Sequence, residues 1–137
     1  MKNYLKAEFN AEAINEGIAR TIVAGFIMPL DPTLEVMADI KTAVSEAVTN
    51  AIIHGYEGRE GIVTMELILD EKLLTVKIHD SGAGIENVEK AREPLYTSKP
   101  DEDRSGMGFT VMESFMDSLY IESALGKGTS ITMTKKL

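Results

Sequence analysis

Apolar side chains recur along this chain with two different periods, and the changes of period mark out its elements. Tyr4–Phe9 alternates and predicts a short strand. Between Glu12 and Met28, Ile14, Ile18, Ile22 and Phe26 recur every four residues, which predicts a helix that Pro29 ends. Asp31-Pro32 is expected to open a second helix, with Asp31 as N-cap and Pro32 at the first helical position. That helix runs through Met37, Ile40, Val44, Val48 and Ile52 and stops near His54-Gly55, where glycine is a natural C-terminal cap. Tyr56–Gly61 reads as a loop. Ile62–Leu69 and Leu73–His79 read as strands, joined by a hairpin turn at Asp70-Glu71-Lys72. Gly82 and Gly84 break the pattern. Ile85–Ser105 is long and polar and contains Pro94 and Pro100, so it reads as a mobile loop with one helical piece near Glu86–Arg92. A helix over Met107–Asp117 and a hairpin of strands Leu119–Ala124 and Thr129–Thr134 complete the order.

Strand, two helices, two strands, loop, helix and two strands predict the α+β class. The expected architecture is a two-layer sandwich: a mainly antiparallel mixed sheet with helices on one face, forming one domain over residues 1–137. Composition narrows the function. The chain has 22 acidic and 14 basic side chains and a formal net charge of −8, the wrong sign for a nucleic-acid footprint or an anionic membrane surface. It has no cysteine, so thiol catalysis, disulfides and cysteine–zinc sites are excluded. Its longest uncharged apolar stretch, Thr21–Leu30, is half of the roughly 20 residues that a membrane-spanning helix needs. The N-terminus lacks the form of a signal peptide, and the cytoplasm is the expected compartment.

Three polar clusters interrupt the apolar pattern. In the first, Glu46, Asn50 and His54 are four residues apart and share one helix face. Such a face either meets solvent or lines a pocket; His54, at the helix end, is a cap, a second-layer group or a catalytic one, the last being the least favoured. If the face lines a pocket, the Asn50 side-chain oxygen is a hard ligand suited to Mg²⁺, and Glu46, one turn away, is placed to accept a proton from an attacking hydroxyl. The second cluster is Asp80-Ser-Gly82-Ala-Gly84, at the end of an apolar strand. It is either a strand-ending turn or a site where Asp80 accepts from an exocyclic amine such as adenine N6 and the glycines let backbone approach the ligand. The third, Gly106-Met107-Gly108, directly precedes a helix, and is either only a helix start or an anion site built from the N-terminal amides. Thr97, Ser98, Lys99 and Arg104 in the preceding loop either add donors to phosphates or are solvated. No P-loop signature occurs, so a phosphate site here must be built another way.

From about Ile40 to Thr134 the three clusters resemble the N, G1 and G2 boxes of the GHKL superfamily of ATP-binding domains. Within it, Ser45–Tyr56 and the run Arg104-Ser105-Gly106-Met107-Gly108-Phe109-Thr110 are most similar to the small anti-sigma serine kinases. The resemblance implies the Bergerat ATP-binding fold and ATP, ADP and Mg²⁺ as ligands. It also implies Glu46 as general base, Asn50 on the metal, Asp80 on adenine with Thr129 nearby, and Gly82, Gly84, Gly106 and Gly108 around the nucleotide. The implied partners are a sporulation sigma factor of the sigma F type, an anti-anti-sigma protein with an acceptor serine, and a second copy of the chain. Arg20, on the first helix, matches the partner-binding region.

Four chemistries compete within that superfamily. Gyrase-like and Hsp90-like proteins activate water with the glutamate but carry further domains, and this chain ends soon after its last expected strand. Sensor histidine kinases phosphorylate their own dimerisation helices, for which no segment is expected here, and typically have asparagine where Glu46 stands. A serine hydroxyl is much less acidic than an imidazole and gains more from a carboxylate base. The expectation is therefore phosphoryl transfer to a serine of another protein, in which charge neutralisation and positioning dominate. Arg104 and the amides near Gly106–Gly108 would neutralise charge, and Ile85–Ser105 would act as a lid. A domain that only sequesters a partner when ATP is bound is the alternative.

Overall fold

A computed structural model describes residues 2–93 and 108–137. Its five strands are β1 (Lys2–Asn10), β2 (Ile62–Asp70), β3 (Leu73–Asp80), β4 (Ser118–Ala124) and β5 (Gly128–Lys136). They form one sheet in the order β1-β2-β3-β5-β4. Every pairing in it is antiparallel, so the parallel component of the expected mixed sheet does not occur among the described residues. Asp70 pairs with Leu73, which tightens the β2–β3 turn to Glu71-Lys72, with Glu71 left-handed at φ 55°. After β3 the chain crosses the sheet before β4, and β5 returns between β3 and β4. That return sets Thr129 opposite Asp80.

Strand alternation decides which side chains meet the helices. Val63, Met65, Leu67 and Leu69 of β2, Leu74, Val76 and Ile78 of β3, and Ile131 and Met133 of β5 are buried. Asp80 continues the β3 row, so a carboxyl group occupies the end of an otherwise apolar stripe. The helices α1 (Asn15–Ile27), α2 (Leu34–Asn50), α3 (Val88–Ala91) and α4 (Gly108–Phe115) complete the elements. Ile40, Ala43, Val44, Ala47 and Val48 of α2, with Phe109 and Met112 of α4, close the core. Among the described residues, no helix is long and apolar enough to cross a membrane.

Three local expectations are corrected. A strict four-residue repeat advances about 40° too far at each step of a 3.6-residue helix. The buried stripe of α1 is therefore Ala19, Val23, Phe26 and Ile27, while Ile14 and Ile18 are 80% and 49% exposed. At the start of α2 the N-cap is Thr33, whose hydroxyl accepts from Val36 N–H at 3.1 Å. Asp31 instead ends the 3₁₀ turn Met28–Leu30 in a left-handed conformation (φ 51°), which Asp tolerates. Finally, α2 does not end in a left-handed glycine. It widens into a π-turn over Ala51–Gly55, closed by Tyr56 N–H on the Ala51 carbonyl at 3.0 Å, and the positive φ angles fall on Glu57 and Gly58.

Candidate functional site

The half-buried Glu46 and Asn50 lie one turn apart in the C-terminal half of α2. The π-turn then adds a residue to the next turn, and the half-buried His54 lies within it. Helix α4 packs across α2 and brings its first residue to the glutamate: a β-carbon on Gly108 would stand 3.4 Å from Glu46 Oε2. First and third clusters therefore meet at the Glu46 carboxylate and the start of α4. Thr97, Ser98, Lys99, Arg104, Ser105, Gly106 and Met107 lie outside the described residues, as does most of the expected lid.

Asp80 is 2% exposed. Its Oδ1 accepts from Gly82 N–H at 2.9 Å. Burial pushes its carboxyl above the ordinary carboxylate range, and the Gly82 amide, His79 and the Thr129 amide only partly offset this. The neighbouring strand supplies Thr129, 3% exposed, whose hydroxyl lies 2.8 Å from Ser123 Oγ. Ser123 also donates to the Gly128 carbonyl at 2.8 Å and accepts from Ile85 N–H at 2.7 Å. This hydroxyl pair locks the β4–β5 hairpin to the chain leaving the Asp80 loop. A cavity of about 440 Å³ lies beside it, lined by His79, Val88, Ser123, Lys127, Thr129 and Ser130 among others.

The glycines of the second cluster let other backbone of the protein come close. A β-carbon on Gly82 would stand 1.9 Å from the Gly55 carbonyl oxygen, and one on Gly84 (φ 78°) 2.0 Å from that of Ala124. The room left by the missing side chains is filled by backbone of the protein itself. The loop is bonded to the end of the α2 π-turn by Ala83 N–H on the Gly55 carbonyl at 2.7 Å, and to the far hairpin by Gly126 N–H on the Ala83 carbonyl at 2.7 Å. Sequence reading missed Gly55, Tyr56, Ser123 and Gly128 as parts of this frame. The Gly-Tyr pair ending an apolar helix and the glycine before Thr129 were the available signals.

Arg20 lies on α1, its side chain 44% exposed, with Nε 3.1 Å from Glu16 Oε1. Glu16 also accepts from the hydroxyl of Ser45, the residue before Glu46. The first helix is thus bonded to the catalytic candidate's own helix rather than standing apart from it.

Comparison with known proteins gives the family and the fold. Residues 9–135 match the model of the family described as histidine kinase-like ATPase domain. An "Anti-sigma F factor" of Clostridium acetobutylicum is 58% identical over 136 residues, covering 99% of this chain and 95% of that protein. Proteins of the same name from Clostridium perfringens strain SM101 and Thermoanaerobacter pseudethanolicus are 59% and 53% identical. The alignments cover 100% and 97% of this chain, and 99% and 93% of those proteins. Among solved structures, the RsbU and RsbW domains of Rv1364c from Mycobacterium tuberculosis match with a TM-score of 0.71 at 19% identity. That match covers 98% of this chain and 32% of the other, and it shows the shared fold.

Proposed function

The chain belongs to the histidine kinase-like ATPase domain family and, within it, to the family of the anti-sigma F factors, and from that premise we propose a two-part activity. The protein holds a sigma factor of the F type inactive in an ATP-favoured complex. It also transfers the γ-phosphoryl group of ATP to a serine of the antagonist that would release that sigma factor. An ATPase domain of this family binds nucleotide. The serine kinase activity, the metal, the antagonist, a homodimer and a cytoplasmic location are parts of the proposal.

The observation that carries the reading is the placing of the start of α4 against Glu46. A β-carbon on Gly108 would come 3.4 Å from the carboxylate, so phosphates held by amides at that helix start would lie beside a base. In the transfer the serine oxygen bonds to the γ-phosphorus and the bond from that phosphorus to the β–γ bridging oxygen breaks, leaving ADP. The serine proton passes to Glu46. Asp80 takes the exocyclic amine of adenine, with Thr129 beside it on β5. Asn50 fits the demand of Mg²⁺ for few protein ligands, and its side-chain oxygen would hold the ion, which supplies charge neutralisation at the phosphates when bound.

Partner binding has its own support on α1. Ile18 on α1 and Ile14 at its N-cap are large exposed apolar side chains, and the same helix carries the half-exposed Arg20. Exposed apolar side chains and arginine both mark protein interfaces. The sheet offers a surface for a second copy: among the described residues β1 pairs only with β2, and Tyr4 and Tyr120 on the face away from the helices are 55% and 60% exposed. The test is incubation of the protein with labelled ATP, Mg²⁺ and the purified antagonist, with sigma-factor binding measured in parallel. Label on one serine of the antagonist supports the kinase reading. ATP-dependent sigma binding without transfer leaves the sequestering module alone.

A further inference from the structure

The Asp80–Gly84 loop leaves its strand at Asp80, the last residue of β3 paired with β5. From there Ser81 N–H has no ladder partner, and a side chain supplies one. The Tyr56 hydroxyl accepts from Ser81 N–H at 2.8 Å and donates to the Ile62 carbonyl, where β2 begins, at 2.6 Å. A phenol has one proton to give and lone pairs to receive with, so both bonds form together. The ring is held just as closely. Tyr56 is 8% exposed, and a β-carbon on Gly61 would stand 2.2 Å from its Cε1. Next to it, the Gly55 carbonyl takes Ala83 N–H, and the Gly55 α-carbon lies against the Asp80 carboxyl group. Two consecutive residues at the end of the α2 π-turn thus hold Asp80, Ser81 and Ala83.

We infer that Tyr56 is a positioning residue for base recognition: its hydroxyl fixes Ser81, and through it the Asp80 carboxylate, relative to the helix carrying Glu46 and Asn50. The inference rests on the proposal that Asp80 reads the exocyclic amine of adenine. Base recognition needs one carboxylate oxygen held at a fixed height and tilt, because a hydrogen bond weakens steeply as its angle closes. The strand fixes one end of Asp80 and the phenol fixes the other. Removal of the hydroxyl leaves the ring packed on Gly61 and the fold intact, but frees one N–H and one carbonyl and loosens Ser81 and the Asp80 carboxyl group, while the bonds at Ala83 persist.

The test compares wild type, Tyr56→Phe, Asp80→Asn and Leu69→Ala, a buried core change at the far end of β2. Amide hydrogen exchange by NMR on nucleotide-free protein reads the clamp itself, and calorimetry with ADP and GDP reads base discrimination. Wild type is expected to protect Ser81 N–H, and Tyr56→Phe to lower that protection roughly five- to tenfold, the worth of one hydrogen bond. The same variant is expected to lower ADP affinity by a similar factor and GDP affinity little, narrowing the ratio. Leu69→Ala is expected to lose stability with the ratio unchanged. A freely exchanging Ser81 amide in wild type, or unchanged protection in Tyr56→Phe, overturns the clamp. Lost protection with an unchanged ratio, while Asp80→Asn narrows it, overturns the positioning role and leaves base reading by Asp80 standing. A ratio unchanged in both variants overturns the base reading and the inference with it.

Discussion

The α-carbon of Gly55 faces the carboxyl group of Asp80 with no room between them: a β-carbon on residue 55 would stand 2.7 Å from Asp80 Oδ1 and 2.8 Å from Oδ2. The end of the helix that carries Glu46 and Asn50 is therefore the wall against which the buried carboxylate rests. Gly55→Ala must push one of the two away. Overpacking of this kind costs roughly 1–3 kcal/mol of stability. Nucleotide affinity is expected to fall as well, because the group displaced is the one assigned to the base. Chemical denaturation and ADP titration on the same preparation check both; full ADP affinity in the variant would mean that the position of Asp80 does not matter to binding.

The burial that positions Asp80 also gives stability a pH dependence of known sign. Its folded pKa is raised, burial being the largest cause. The folded state therefore holds the proton more tightly than the unfolded state. The stability associated with this group is fully present below the unfolded carboxylate pKa of about 3.9 and is lost as pH rises through the folded value. Asp80→Asn cannot ionise and lacks this loss. Relative to wild type, the variant is expected to gain stability as pH rises from about 4 toward neutrality, while losing preference for adenine. Thermal unfolding of both proteins across that range is the check. A difference that stays constant with pH, or shrinks as pH rises, would place the titration elsewhere.

Asn50→Ala removes the one side-chain oxygen proposed for Mg²⁺ on this face of α2. Nucleotide affinity with Mg²⁺ is expected to drop toward the value measured with a chelator present, whereas the chelated value itself changes little. Equal losses in both conditions would make Asn50 a packing or nucleotide contact rather than a metal ligand.

Arg20→Ala is expected to weaken binding to the sigma factor, the antagonist or both, by roughly 1–5 kcal/mol depending on burial of the contact. The bond from Ser45 to Glu16 does not use Arg20 and persists, so the helix carrying Glu46 keeps its link to α1. ATP affinity is then expected to remain near that of wild type. Surface-based binding to each partner, with ATP titration alongside, separates the outcomes; a parallel fall in ATP affinity would show that the α1–α2 link reaches the nucleotide.

Much of this was legible in the residues because strand alternation and helical periodicity are local. Val44 and Val48 mark the buried side of α2 and thereby place Glu46 and Asn50 off it. The β3 row Leu74, Val76, Ile78 ends at Asp80 and points to a buried carboxylate. The α1 stripe misled because a repeat of four imitates a face while rotating around the helix, so Ile14 and Ile18 reach solvent. The cap of α2 was misplaced because the left-handed Asp31 depends on how the preceding 3₁₀ turn closes, which no single residue announces. The frame around Asp80 was not legible, since Gly55 and Tyr56 reach it from the end of α2 by long-range contacts, and Ser123 and Gly128 only once β5 has inserted beside β3. Contacts between segments 25 to 50 residues apart leave no periodic trace in a sequence.

The central claim, that Glu46 removes the proton of an acceptor serine beside an anchored nucleotide, is tested most directly by single-turnover phosphoryl transfer in Glu46→Gln. The substitution keeps the size of the side chain and removes the base. ATP affinity is expected to stay within a few-fold of wild type, while transfer to the antagonist's serine falls by roughly 10²–10⁴, the usual worth of general-base catalysis. Transfer within a few-fold of wild type, with ATP bound equally well, would contradict the account.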